Sequence, residues 1–190
     1  MLKCEQTKGQ SVYQHGQSVR NHFFELIHAL KHDDKEMLSK WRIPKWLFDY
    51  KDCILDNLYE QGKIELYTLY HDAGKPYCRY VDKETGKVHF PNHAEVSRYI
   101  WDCVGGNKIV GNLIADDMII HTATAEEIDR KLKEDWDAAD AITLLIVALS
   151  ELHSNAKMFG GIESPNFKGK WKKVERRGNQ ITKHLFGDLS

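Results

Sequence analysis

Val12, Val19, Phe23, Leu26, Ile27 and Leu30 recur at the spacing of one helical stripe, which predicts a helix from about Ser11 to Leu30 with His15 on its inward face. From Lys35 to Tyr59 the set Trp41, Trp46, Leu47, Ile54 and Leu58 is again helical, but Pro44 has no amide hydrogen to give, so two helices are predicted there. The next, about Ile64 to Asp72, is expected to end at a left-handed Gly74, with Pro76 barring continuation and His71 and Asp72 on its last turn. Between Arg79 and Phe90 the pattern shortens to Tyr80-Val81, a turn around Gly86, then Val88 and Phe90, a small hairpin. Helical spacing returns with Val96, Ile100 and Cys103, stops at Gly105-Gly106, and resumes from Ile109 to Met118. Thr124 with Glu127 forms a capping-box pattern, and Ala141 to Phe159, apolar nearly all round, reads as the central buried helix ended by Gly160-Gly161. The expected fold is all-α, a helical bundle with a β-hairpin insertion near residues 79–90.

Composition narrows this reading. At 190 residues, 42% hydrophobic and 29% charged, the chain can bury a core unaided. Its longest apolar stretch, Ala141 to Leu149, is well short of the roughly 18 residues a bilayer crossing takes, so no membrane partner is expected. Met1-Leu2-Lys3-Cys4-Glu5 lacks the pattern of an export signal, and a cytoplasmic chain is expected. Cys4, Cys53, Cys78 and Cys103 are scattered, which fits neither a disulfide framework nor a cysteine zinc site. The net charge of -1 conceals a split: residues from Lys157 onward carry +5 and the rest -6. An acidic body could hold cations, while the basic end could meet a phosphate-bearing partner or be a solvated tail. The expected organisation is one domain over 1–160, with a basic extension over 161–190 packed on it or trailing from it.

Of ten histidines, His28, His32, His89 and His184 lie in polar surroundings and read as surface. His15, His71, His93 and His121 each fall at or near the inward side of a different predicted helix, with Asp72 beside His71. Bundles build metal sites by such convergence. Asp117 lies four residues before His121 on an apolar stripe, where an unpaired carboxylate is costly; it would orient His121 or carry a proton, or else bond locally at a helix end.

Leu69-Tyr70-His71-Asp72-Ala73-Gly74-Lys75-Pro76 resembles the signature of the HD superfamily of metal-dependent phosphohydrolases. His15-Gly16-Gln17-Ser18-Val19 is similar to that family's first-ligand helix, and Gly86 to Val96 to the stretch that follows the signature in the HD domains of bacterial CCA-adding tRNA nucleotidyltransferases. The resemblance covers roughly residues 11 to 157. It implies that His15, His71 and Asp72 ligate a metal and that His93 and His121 bind a second metal or contact the scissile phosphate; Lys75, one turn past the pair, could add a point charge to that phosphate. Asp72, Lys75 and Asp117 would be the catalytic set, and Lys75, Arg79, Lys170 and Lys172 would bind substrate. Imidazoles with a carboxylate suit one or two divalent ions, manganese, nickel, cobalt, zinc or magnesium, and leave positions open for water. Trp171, between Lys170 and Lys172, could stack on a nucleotide.

One departure matters. HD proteins usually supply a last aspartate from the closing helix, yet none occurs between Ala141 and Lys183. Asp137, which keeps a carboxylate, is preferred as its substitute over Glu151 and His153. Gly74-Lys75 lacks the earlier glycine of a P-loop, and no serine or cysteine sits in a nucleophile pattern. The function expected from the resemblance is hydrolysis of a phosphate ester on a nucleotide or phosphorylated nucleic-acid end, a phosphomonoester or a 2′,3′-cyclic phosphate. The alternatives are a deoxynucleotide phosphohydrolase, a catalytically idle HD fold that binds nucleotide or RNA, or a plain helical scaffold.

Overall fold

The computed structural model describes residues 1–7 and 9–187, so residues 188–190 of the expected basic extension lie outside the described residues. An antiparallel ribbon of β1 (Glu5–Thr7) and β2 (Gln10–Ser11) leads into α1 (Val12–His32). Three short helices follow: α2 (Lys35–Leu38), α3 (Lys45–Asp49) and α4 (Lys51–Asp56). The chain continues through α5 (Gln61–Tyr70) and α6 (Lys75–Cys78) into a hairpin of β3 (Tyr80–Val81) and β4 (Val88–His89), registered Tyr80 to His89 and Val81 to Val88. Last come α7 (His93–Cys103), α8 (Lys108–Asp116), α9 (Ile119–Thr122), α10 (Ala125–Glu134), α11 (Ala138–Ser154) and α12 (Pro165–Phe186). The protein is all-α with small β ribbons, and among the described residues no helix is long and apolar enough to cross a membrane.

Two compact units share this chain: Met1–Arg20 with Gln61–Asp117, and Asn21–Glu60 with Met118–Ser190. In the first, α5 and α7 pack on α8 and α6 packs on α7, burying Ile64, Tyr67, Trp101, Val110, Leu113 and Ile114. In the second, α11 has twelve of seventeen residues buried, which makes it the centre against which α12 and α9 pack. Each fully buried leucine or isoleucine contributes about 1.5–3 kcal/mol, and this helix buries six of them.

Several expectations change. Within the expected basic extension, 165–186 is a helix of the second unit, begun by the Ser164 cap and Pro165 and held by buried Phe167, Trp171, Val174 and Ile181. Its apolar residues recur at helical spacing, a signal masked by the lysines between them. Between Lys35 and Tyr59 three helices form, because the helix after Pro44 breaks at Tyr50 (φ -114°). Gly74 is right-handed, φ -76°, and begins α6 rather than capping α5; Pro76 sits in that helix's first turn, where its missing N–H costs nothing. The run from Ile109 to Met118 ends at Asp116, so Asp117 and His121 do not share one helix. The capping box of Thr124 and Glu127 is present.

Candidate metal centre

The first unit assembles its polar interior from places where helices start and stop. His15 lies in the first turns of α1, and Gly16 beside it faces the end of α5; a Cβ there would sit 2.8 Å from the Leu69 carbonyl oxygen and 2.9 Å from that of Thr68. Only glycine allows that approach. His71 and Asp72 occupy the turn between α5 and α6. Gly74 closes this turn against α7, where a Cβ would lie 2.6 Å from both the His93 carbonyl oxygen and the Ser97 nitrogen. The Gly74 N–H donates to Ser97 Oγ at 2.8 Å, joining the turn to the helix that presents His93.

These connections place four groups around one carboxylate. Asp72 Oδ2 is 2.6 Å from Lys75 Nζ, 3.2 Å from His71 Nε2 and 3.7 Å from His15 Nε2. Asp72 Oδ1 is 3.4 Å from His93 Nε2. His15, His71 and Asp72 are at most 1% exposed, and one ligand atom from each lies within 4.8 Å of the others. Burial alone would push the Asp72 carboxyl up, but His71, Lys75 and His15 outweigh it and hold the group well below the usual carboxylate range.

The far sides of two rings define their chemistry. His71 Nδ1 is 2.9 Å from the Thr68 carbonyl oxygen, and His93 Nδ1 is 2.9 Å from that of Phe90. A carbonyl oxygen only accepts, so each ring carries hydrogen on Nδ1 and its Nε2 faces Asp72. A neutral His71 would then set its lone pair against a carboxylate lone pair across 3.2 Å, a repulsion relieved only by a cation, proton or metal, between them. Two imidazole nitrogens and a carboxylate oxygen form a mixed donor set suited to a borderline or hard divalent ion. His15, His71 and Asp72 could hold a metal ion. Because Lys75 already balances Asp72, a divalent ion would leave this corner positive and attractive to phosphate.

Other expected residues take different places. Asp117 belongs to the first unit, buried, with Tyr67 donating to its Oδ1 at 2.7 Å. Arg79 is exposed and lines an open recess of about 710 Å³ with Pro76 and Lys3. His121 and Asp137 belong to the second unit. His121 Nε2 is 3.2 Å from Glu151 Oε2, while Asp137 caps α11, accepting from the Asp140 N–H at 2.8 Å. His153 has both nitrogens committed: Nδ1 donates to the Leu149 carbonyl at 2.8 Å and Nε2 accepts from the Arg42 N–H at 3.0 Å. Lys170 and Lys172 are exposed on α12. Trp171 offers no stacking face, because it is buried and donates from Nε1 to the Arg42 carbonyl at 2.6 Å.

Sequence reasoning passed over Thr68 and Phe90, whose carbonyls orient the two rings, Tyr67, which holds Asp117, and Ser97, which holds the turn. The backbone carbonyls leave no trace in residue type. Gly16 and Gly74, each beside a predicted ligand, were the available signal. Comparison with protein-family models, curated proteins and solved structures found no match.

Proposed function

We propose that this chain is a metal-dependent phosphohydrolase of the HD type, acting on a phosphomonoester or 2′,3′-cyclic phosphate of a nucleotide or nucleic-acid end. The observation that carries this reading is the fixed His71 ring, which points Nε2 at a buried carboxylate oxygen and so calls for a cation at that position. His15, His71 and Asp72 would hold the ion, manganese, nickel, cobalt, zinc or magnesium. When bound, such an ion lowers the pKa of its water and neutralises charge on phosphate oxygens. Lys75, already held at Asp72, is placed to share its charge with an entering phosphate, and His93 can donate to or accept from the same group. Asp117, braced by the Tyr67 hydroxyl, serves as a proton carrier.

A second reading, an idle fold that binds nucleotide or RNA, draws on the commitment of Asp137 to a helix cap and of His153 to two backbone groups. A phosphate-release screen across nucleotides, deoxynucleotides and phosphorylated RNA ends, with each divalent ion supplied in turn, separates the two. The enzyme reading expects metal-dependent release that His71→Ala abolishes. Binding without turnover under every metal would overturn it.

A further inference from the structure

The basic residues of α12 gather at one place. Lys173, Arg176 and Arg177 stand at the positions three and four apart that adjoin on a helix surface. With Ile120, His121 and Ala123 they line a cavity of about 70 Å³ within the second unit, large enough for one phosphate group and too small for a nucleoside. Like charges so placed repel by a few tenths of a kcal/mol per pair, a cost that an anion between them would remove.

The walls are braced. Arg177 spends two of its five N–H groups on fixed oxygens, the Ala123 carbonyl at 2.5 Å and Gln180 Oε1 at 3.2 Å, which sets the plane of the guanidinium. Arg176 Nε lies 3.3 Å from the Lys172 carbonyl oxygen, and Glu151 engages His121 Nε2 at 3.2 Å. Glu127 also acts on Arg177, but its carboxylate is used at the start of α10, accepting from the Thr124 N–H at 2.6 Å. Guanidinium groups held in a fork match the oxygens of a tetrahedral anion.

We propose that this cavity is an oxyanion site of the second unit that takes a single phosphate group, free or carried by a nucleotide, independently of the His15-His71-Asp72 corner. Inorganic phosphate is titrated into the full chain, freed of metal by chelation, at constant ionic strength against chloride, with binding followed by calorimetry and by melting temperature. One phosphate is expected to bind and raise the melting temperature. The double variant Lys173→Gln/Arg176→Gln, whose side chains are exposed, should keep the helical circular dichroism spectrum and weaken binding on the order of tenfold or more. In Asp72→Asn binding should persist, so failure of the phosphohydrolase reading would leave this one intact. AMP binding more tightly than inorganic phosphate would mark a nucleotide as the source, and the reverse would mark the free anion. Adenosine binding as well as AMP, chloride protecting as well as phosphate, or an unchanged double variant would overturn the proposal.

Discussion

Both units bury histidine, to opposite ends. In the first, His71 is fixed through Nδ1 by a backbone carbonyl and turns Nε2 to a carboxylate oxygen. In the second, His153 is fixed in the same way through Nδ1 but turns Nε2 to the Arg42 N–H, with its ring between Trp41 and Phe167 at 4.3 and 5.1 Å. An imidazole facing a donor is satisfied as a neutral group and serves packing. Facing an acceptor, it needs a cation. Burial is common to both, so the atom opposite the second nitrogen tells the structural ring from the candidate ligand.

Removing the Asp72 carboxylate strikes most directly at the cation in the first unit. Asp72→Asn preserves shape but replaces the anion, and should weaken manganese binding about a thousandfold, beyond the 10–100-fold typical of residues that only orient ligands. His153→Gln should leave that affinity unchanged. Calorimetric titration of both variants decides the point: manganese bound equally well by Asp72→Asn would mean that the corner holds a proton and not a metal.

Stability against pH probes the neutral ring of the second unit. Burial, which disfavours the charged ring, lowers the His153 pKa from 6.5 to about 4; the Leu149 carbonyl opposes the shift and His22 adds to it. The unfolded chain therefore takes up a proton near pH 6.5 that the folded chain refuses until about pH 4. Unfolded molecules bind more protons in that window, so the contribution of His153 is full above pH 6.5 and is lost as the pH falls toward 4, by roughly 3 kcal/mol in all. Urea denaturation at steps across this range should show a decline in the wild type that His153→Gln reduces by about that amount. Parallel curves would mean that the ring is protonated in the folded state.

Much of this was legible in the chain. The 3.6-residue period marks α1 and α7 because each buries one stripe, an unbroken apolar run marks α11, and the Thr124 and Glu127 cap is local chemistry between neighbours. The β3–β4 hairpin was legible for the same reason. What escaped depended on partners distant in sequence. Asp137 reads as a spare carboxylate until Asp140 and the start of α11 are seen to use it. Trp171 reads as a base platform until its contact with Arg42, far back in the chain, is known. Of the candidate site, His15, His71, Lys75 and His93 lie around the Asp72 carboxylate and were each named from the sequence, whereas the carbonyls that aim the rings carry no side-chain signature.

A smaller effect separates the units by the same logic, through glycine. A methyl at Gly16 would meet the Leu69 and Thr68 carbonyl oxygens at 2.8 and 2.9 Å, and the Thr68 oxygen is the one that aims His71. A methyl at Gly178 would meet the Trp46 ring at 2.1 Å, inside the apolar core of the second unit. Overpacking of either kind costs about 1–3 kcal/mol, so both alanine variants should melt several degrees below the wild type. Their metal binding should differ. Gly16→Ala must shift α1 or the end of α5, and with it His15 or the His71 ring, so manganese affinity should fall by roughly tenfold, as when an orienting partner is lost. Gly178→Ala disturbs only packing and should bind manganese like the wild type. Equal affinity in both variants, at equal loss of melting temperature, would show that the close approach of α1 to α5 serves packing alone and does not set the geometry of the metal corner.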